Sequence, residues 1–107
     1  MKNGFMSQNW TDAEGRPAGG VASGTGFTIS WQNGPLGRDK DRQAPNGAFV
    51  EDVIAAAMRR IAFYQQGQFA CEENAKALLC LAEAAEHLDS RTKRREQAGT
   101  EGTHEES

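Results

Sequence analysis

The chain has 107 residues, with 12 Lys and Arg against 15 Asp and Glu, which gives a formal net charge of -3. This length is enough for one small domain. The acidic balance argues against nucleic-acid binding by the whole surface, although a local basic patch is compatible with it. Because no run of about 18 apolar residues is present and the N-terminus lacks the apolar core of a signal peptide, we expect a cytosolic protein without a membrane span.

The first part of the chain consists of a stretch without a regular hydrophobic pattern, followed by one clear β-strand pattern. Residues 1–24 are rich in Gly, Ser, Asn and Thr, and their apolar residues follow no period. This composition predicts a flexible N-terminal segment. Apolar and polar residues then alternate over residues 27–31, which predicts a β-strand. Asn33-Gly34 favours a tight turn, and Pro35 weakens a return strand, so we expect at most a short hairpin arm.

Two amphipathic helices are expected in the second half of the chain. Apolar residues recur at helical spacing over residues 48–62, and Asn46 precedes them as a candidate N-cap. Gly67 is a candidate stop for this helix. A second helix is expected from about residue 69 to residue 97, in a segment rich in Ala, Leu and Glu.

These elements predict a mainly α protein of the α+β class, a long two-helix hairpin preceded by a short N-terminal β-strand or hairpin arm. Its parts would be a flexible segment (1–24), a strand plus helical-hairpin domain (25–99) and a polar C-terminal tail (100–107). Two helices leave about half of each apolar stripe uncovered, and chains with so little core usually need metals, disulfides or oligomerisation. We therefore expect a homo-oligomer.

The chemistry-bearing residues form no catalytic or metal-binding pattern. Cys71, Cys80, His87 and His104 are separated by 9, 7 and 17 residues, without a CxxC or HxxxH pair. This spacing predicts free thiols and an exposed imidazole, with no metal site. The glycines of residues 24–26 precede a strand and do not link a strand to a helix, which excludes a dinucleotide fingerprint. We expect a protein that is not an enzyme and holds no cofactor.

Three stretches carry a resemblance to a known family. They are GFTISWQNGPLGR (residues 26–38), PNGAFVEDVI (45–54) and the helical stretch from FACEEN (69–74) to GTEGTH (99–104). Together they resemble small phage and prophage proteins that sequester the cyclic nucleotide signals of the Thoeris and CBASS anti-phage systems. The similarity is to the Thoeris anti-defence branch, which shares a helical-hairpin domain with the anti-CBASS branch, and it covers about residues 24–104.

The resemblance implies binding without chemistry in the cytoplasm of a bacterial host. Members of the family capture glycocyclic ADP-ribose made by TIR-domain enzymes, and some hold cyclic di- or trinucleotides. Their pocket has an aromatic residue that stacks on adenine, an asparagine that hydrogen-bonds to its edge, and arginines on the phosphates or base. By position these residues are Tyr64, with Phe63 as a neighbouring alternative, then Asn74, Arg91 and, from the early loop, Arg38.

Helix geometry adds a hypothesis about assembly. Asn74 and Arg91 are 17 residues apart, which is about 25 Å along one helix. Because a dinucleotide-sized ligand cannot span that distance, we expect Arg91 of an antiparallel neighbouring chain to complete the pocket that Tyr64 and Asn74 begin. The size of the oligomer, a dimer or a hexamer, stays open.

Other functions remain compatible with these residues. Tyr64 could instead cap the helical hairpin, and Asn74 could be an ordinary polar residue of a first helical turn. The basic residues 91–95 could place the chain among small oligomeric nucleic-acid-binding or regulatory adaptors of phage or prophage origin. A structural oligomer whose hairpin pairs with another protein is the third possibility.

Overall fold

The structure is a computed structural model that describes residues 4–37 and 39–97. It confirms the α+β class, with two helices and a three-stranded antiparallel sheet. The elements in chain order are β1 (Phe5–Thr11), β2 (Pro17–Gly24), β3 (Phe27–Trp31), a short 3-10 helix (Asp39–Asp41), α1 (Val50–Gln65) and α2 (Glu72–Gln97).

The sheet has the strand order β1-β2-β3, and each strand is antiparallel to its neighbour. Residues 25–26 join β2 to β3, and Gly26 has a φ of 89°, which favours glycine at this tight connection. In the turn between β1 and β2, Asp12 Oδ1 accepts hydrogen bonds from the backbone amides of Glu14 (2.9 Å) and Arg16 (3.0 Å). A carboxylate that satisfies two amides in this way fixes the path of a turn.

The expectation of a flexible segment over residues 1–24 is wrong for residues 5–24, which form β1 and β2. The reason is visible at Gly20, which has a φ of 155° and is buried. A Cβ atom there would lie 2.4 Å from the backbone oxygen of Gln8 and 3.3 Å from Cδ1 of Trp31. Glycine is therefore needed for close packing between strands, although its abundance in a sequence is also typical of disorder. The proposed tail, residues 100–107, lies outside the described residues.

The chain returns to the sheet after β3, but by a different route from the expected hairpin. Among the described residues no return strand follows Gly34. Ala48 instead forms a parallel bridge with Trp31. The amide of Gln32 donates to the oxygen of Ala48 (3.0 Å), and the amide of Ala48 donates to the oxygen of Ser30 (2.7 Å). These bonds connect the sheet to the start of the helical hairpin.

Asn46 supports this connection and does not cap the helix as expected. Its Oδ1 accepts from the amide of Asn33 (2.8 Å), and its Nδ2 donates to the oxygen of Asn33 (2.9 Å). The N-cap of α1 is Phe49, whose amide donates to Oδ2 of Asp52 at 2.8 Å. The carboxylate of Asp52 thereby satisfies a free amide at the helix start, and its charge is favourable there.

The two helices pack against each other along stripes that are only half-buried. The predicted boundaries are close to the observed ones, with α1 beginning at Val50 and α2 at Glu72. Within the described residues Ala22 is the only buried hydrophobic side chain, and no strand contacts a helix. The half-buried apolar residues of α1 and α2 include Val53, Ile54, Met58, Ile61, Leu78, Leu81, Ala85 and Leu88. Over residues 4–37 and 39–97, the sheet and the helices of a single chain therefore share no core.

Neither α1 nor α2 combines the length and the apolar character that crossing a lipid bilayer would require.

Candidate functional site

The turn between α1 and α2 contains an open cavity with a volume of about 340 Å³. This volume lies at the lower end of the range for small-molecule sites, about 300–1,000 Å³. None of its lining residues carries a charge; they are Phe63, Tyr64, Gln66, Gly67, Gln68 and Phe69. The cavity is therefore an uncharged one, lined by three aromatic rings and by side-chain amides.

Three aromatic side chains form a cluster at this cavity. The rings of Tyr64 and Phe69 meet edge to face, with centroids 6.3 Å apart and an angle of 76°. The rings of Phe63 and Tyr64 are also 6.3 Å apart, at 52°. Phe63 is 60% exposed and Phe69 is 66% exposed, whereas Tyr64 is half-buried. Exposed rings of this kind offer π-faces on which a base can stack.

Side-chain amides hold the turn in place. Gln65 and Cys71 are linked by two hydrogen bonds, from Gln65 Nε2 to Cys71 O (3.1 Å) and from Cys71 N to Gln65 Oε1 (2.9 Å). Asn74 Nδ2 donates to the backbone oxygen of Phe69 at 3.1 Å. These bonds satisfy backbone groups beyond the ends of the helices and fix the position of Phe69.

Arg60 lies against the same aromatic cluster. Its Cζ is 5.0 Å from the ring centroid of Tyr64 and 5.3 Å from that of Phe63, within the range of cation–π attraction. Its Nε also donates a hydrogen bond to the hydroxyl of Tyr64 at 3.1 Å. Arg60 and Phe69 are not among the residues that the sequence predicted for the site. The signal for Arg60 was its spacing, because residues three and four positions apart share a helix face.

The structure brings three of the five predicted site residues together. Phe63 and Tyr64 line the cavity. Asn74 is not a lining residue, but its side chain is hydrogen-bonded to the backbone oxygen of Phe69, which is one. Arg91 is exposed on α2, 17 residues and about 25 Å along the helix from Asn74. Arg38 lies outside the described residues. Asn74 also has a structural role within the single chain, because its amide nitrogen already supports the turn.

Cys80 and the basic segment of α2 lie away from this cavity in the sequence. Within residues 4–37 and 39–97, no three His, Cys, Asp or Glu side chains form a group that could hold a metal ion. Cys71 and Cys80 are free, exposed thiols. In the basic segment of α2, Lys93 forms an ion pair with Asp89 at 3.1 Å. Both side chains are more than half exposed, so this pair contributes little stability.

The fold and the site define a small α+β protein whose helical hairpin carries an aromatic cavity at its turn. No protein-family model matches the chain. Over 78 residues it is 42% identical to Thoeris anti-defense 1 of Bacillus phage SBSphiJ7, an alignment that covers 73% of this chain and 52% of that relative. The chain belongs to the Thoeris anti-defence family, which confirms the resemblance indicated by its sequence. It spans about half the length of this curated relative.

Proposed function

We propose that this chain is a phage anti-defence protein that binds and sequesters a cyclic nucleotide immune signal without cleaving it. Glycocyclic ADP-ribose is the first candidate, and the cyclic di- and trinucleotides of CBASS are further candidates. The name of the phage relative supports the anti-defence role. The signal is captured in the cytoplasm of the bacterial host.

The observation that carries this proposal is the aromatic cavity at the helical turn. An adenine base stacks on the exposed ring of Phe69 and on the half-buried ring of Tyr64, an interaction worth about 1–3 kcal/mol per base. Asn74 Nδ2 donates one hydrogen to the oxygen of Phe69, and its Oδ1 and second N–H match the donor and acceptor on the adenine edge. Phe63 extends the apolar wall on the side of α1.

A second protomer completes the site in this proposal. Arg91 is too far along α2 to meet Tyr64 of its own chain. The described part of one chain buries no hydrophobic side chain other than Ala22, and its sheet and helices share no core. A homo-oligomer, a dimer or a hexamer, covers the half-exposed helix stripes and places Arg91 of one chain at the pocket of another.

Sequestration requires affinity and an excess of protein, with no catalytic step. To hold a signal present below micromolar concentration, the dissociation constant needs to be near nanomolar, or about -12 kcal/mol. The bound signal is then withheld from its receptor, and it is released intact when the protein unfolds.

The test is calorimetric titration with glycocyclic ADP-ribose, followed by cyclic di- and trinucleotides. We expect nanomolar affinity for at least one of them, near one ligand per chain, and intact ligand after heat denaturation. Tyr64→Leu abolishes binding, whereas the control Phe27→Leu removes a 42% exposed ring of the sheet and leaves binding unchanged. Absence of binding throughout would refute the proposal, and recovery of a hydrolysed product would make the protein an enzyme.

Mixing two variants tests the contribution of the second protomer. Arg91→Ala and Asn74→Ala each remove one half of every pocket. If the halves come from different chains of a dimer, an equal mixture regains about a quarter of the wild-type sites after subunit exchange. A mixture that regains none would place both residues in the pocket of one chain or outside it.

A further inference from the structure

Arg60 has a guanidinium group that is held in place before any ligand arrives. Three contacts hold it: the ring of Tyr64 at 5.0 Å, the ring of Phe63 at 5.3 Å, and the hydrogen bond from Nε to the Tyr64 hydroxyl at 3.1 Å. A guanidinium fixed in this way loses less conformational entropy when it forms further hydrogen bonds.

The terminal nitrogens of this guanidinium have no acidic partner in the described part of the chain. Two ion pairs of the helical hairpin involve other residues, Lys76 with Glu72 (3.2 Å) and Lys93 with Asp89 (3.1 Å). Residues 66–71, which form the turn beside the cavity, carry no charge. Glu72, the first residue of α2, is paired with Lys76. Among residues 4–37 and 39–97, no acidic side chain therefore forms an ion pair with Arg60 beside the aromatic cavity.

We propose that Arg60 binds a phosphate group of the ligand whose base stacks on Tyr64 and Phe69. This inference rests on the proposed function and adds that the ligand carries a phosphate group beside its stacked base. Nε is occupied by Tyr64, so the two terminal nitrogens form the fork that contacts two phosphate oxygens. The guanidinium lies within cation–π range of both rings, and its Nε–H is directed at the Tyr64 hydroxyl, so only its terminal N–H groups are left for the phosphate.

This role differs from those assigned to Arg91 and Arg38. Arg60 belongs to the same chain and the same helix as Tyr64, four positions before it. It therefore contacts the phosphate whether or not a second protomer completes the pocket. A single chain thus provides both a stacking surface and an anion contact.

The experiment compares Arg60→Gln and Arg60→Lys with the control Arg59→Gln. Arg59 is also exposed on α1, and its substitution removes the same charge without affecting the contacts to Phe63 and Tyr64. Each protein is titrated with ADP, inorganic pyrophosphate and adenosine, and the wild-type Nε–Hε resonance of Arg60 is followed by NMR. Circular dichroism confirms that each variant retains its helices.

We expect ADP and pyrophosphate to shift the Arg60 resonance, whereas adenosine shifts only the aromatic signals. Arg60→Gln weakens ADP binding by roughly 10- to 100-fold, as expected for hydrogen bonds between charged groups. Arg60→Lys has an intermediate effect, Arg59→Gln changes ADP affinity by less than about twofold, and adenosine affinity is the same in all four proteins.

Two results would overturn the inference. One is an equal loss of ADP and adenosine affinity in Arg60→Gln, which would mean that Arg60 only orients Tyr64. The other is an Arg60 resonance that neither ADP nor pyrophosphate shifts. These results are distinguishable from a failure of the proposed function. In that case the wild-type protein would bind no cyclic nucleotide, whatever the response of Arg60 to ADP.

Discussion

Asn74 has two possible roles, support of the turn and recognition of the base, and a comparison with Gln65 separates them. Gln65→Ala removes two hydrogen bonds of the turn, whereas Asn74→Ala removes one. These bonds are exposed to water, so each contributes about 0.5–1 kcal/mol, toward the lower part of the usual range. We therefore expect Gln65→Ala to lower the free energy of unfolding by about 1–2 kcal/mol, and Asn74→Ala by about half as much.

Ligand affinity should follow the opposite order. If Asn74 forms a bidentate pair with the adenine edge, its loss costs about 1–3 kcal/mol, or roughly a 5- to 150-fold weaker dissociation constant. Gln65 is not expected to contact the ligand, so Gln65→Ala changes affinity by only a few-fold through the position of Phe69. This effect on Phe69 is expected to be small because the bond from Cys71 N to Gln65 Oε1 does not involve the Phe69 ring.

The assays are urea unfolding followed by circular dichroism and calorimetric titration with glycocyclic ADP-ribose. Both use the same protein concentration, because oligomerisation makes apparent stability depend on concentration. Affinity losses that follow the stability losses, with Gln65→Ala the more damaging variant in both assays, would refute base recognition by Asn74 and leave it a role in the turn alone.

Two further predictions concern the N-terminal sheet. Gly20→Ala is expected to lower the free energy of unfolding by about 2–4 kcal/mol in urea, because its Cβ would meet the oxygen of Gln8 at 2.4 Å in a backbone conformation that disfavours alanine. Gly15→Ala, with a φ of 80° but no atom within 4 Å, should cost only about 1 kcal/mol, and equal losses would contradict the close strand packing. Hydrogen bonds from the backbone of Arg16, with smaller contributions from the amide of Glu14 and the Arg16 side chain, lower the pKa of Asp12 from its ordinary value near 3.8. The carboxylate therefore stabilises the fold above that value and loses this effect as the pH falls through its lowered pKa. The stability difference between wild type and Asp12→Asn, measured by urea unfolding, should vanish in strong acid, and a difference independent of pH would argue against this role.

The helical hairpin and part of its site were predictable from the sequence because the signals are local. Helix periodicity over residues 48–62 depends on neighbours three and four positions apart, and α1 and α2 were expected within a few residues of their observed bounds. Family resemblance identified Tyr64 and Phe63, which the structure places at the cavity. Their role in ligand binding stays a prediction.

The caps and the sheet were harder to predict because their partners are distant in sequence. Asn46 has the side chain of a good N-cap, but its hydrogen bonds are made to Asn33, 13 residues away. The apolar residues of β1 and β2 follow no regular period, and Gly20 is explained only by the strand and the Trp31 ring beside it. Composition alone cannot distinguish a glycine needed for close approach from a glycine in a flexible segment.

The sequence by itself determined the two helices, the strand β3 and the family, since these depend on short-range periodicity and on matching strings of residues. Only the tertiary structure decided that residues 5–24 pair into the sheet and that Arg60 and Phe69 join Tyr64 at one cavity. Strand pairing and side-chain clusters depend on the distance between chain segments after folding. The turn at residues 12–16 sets that distance for β1 and β2, and the turn at residues 66–71 sets it for the aromatic cluster.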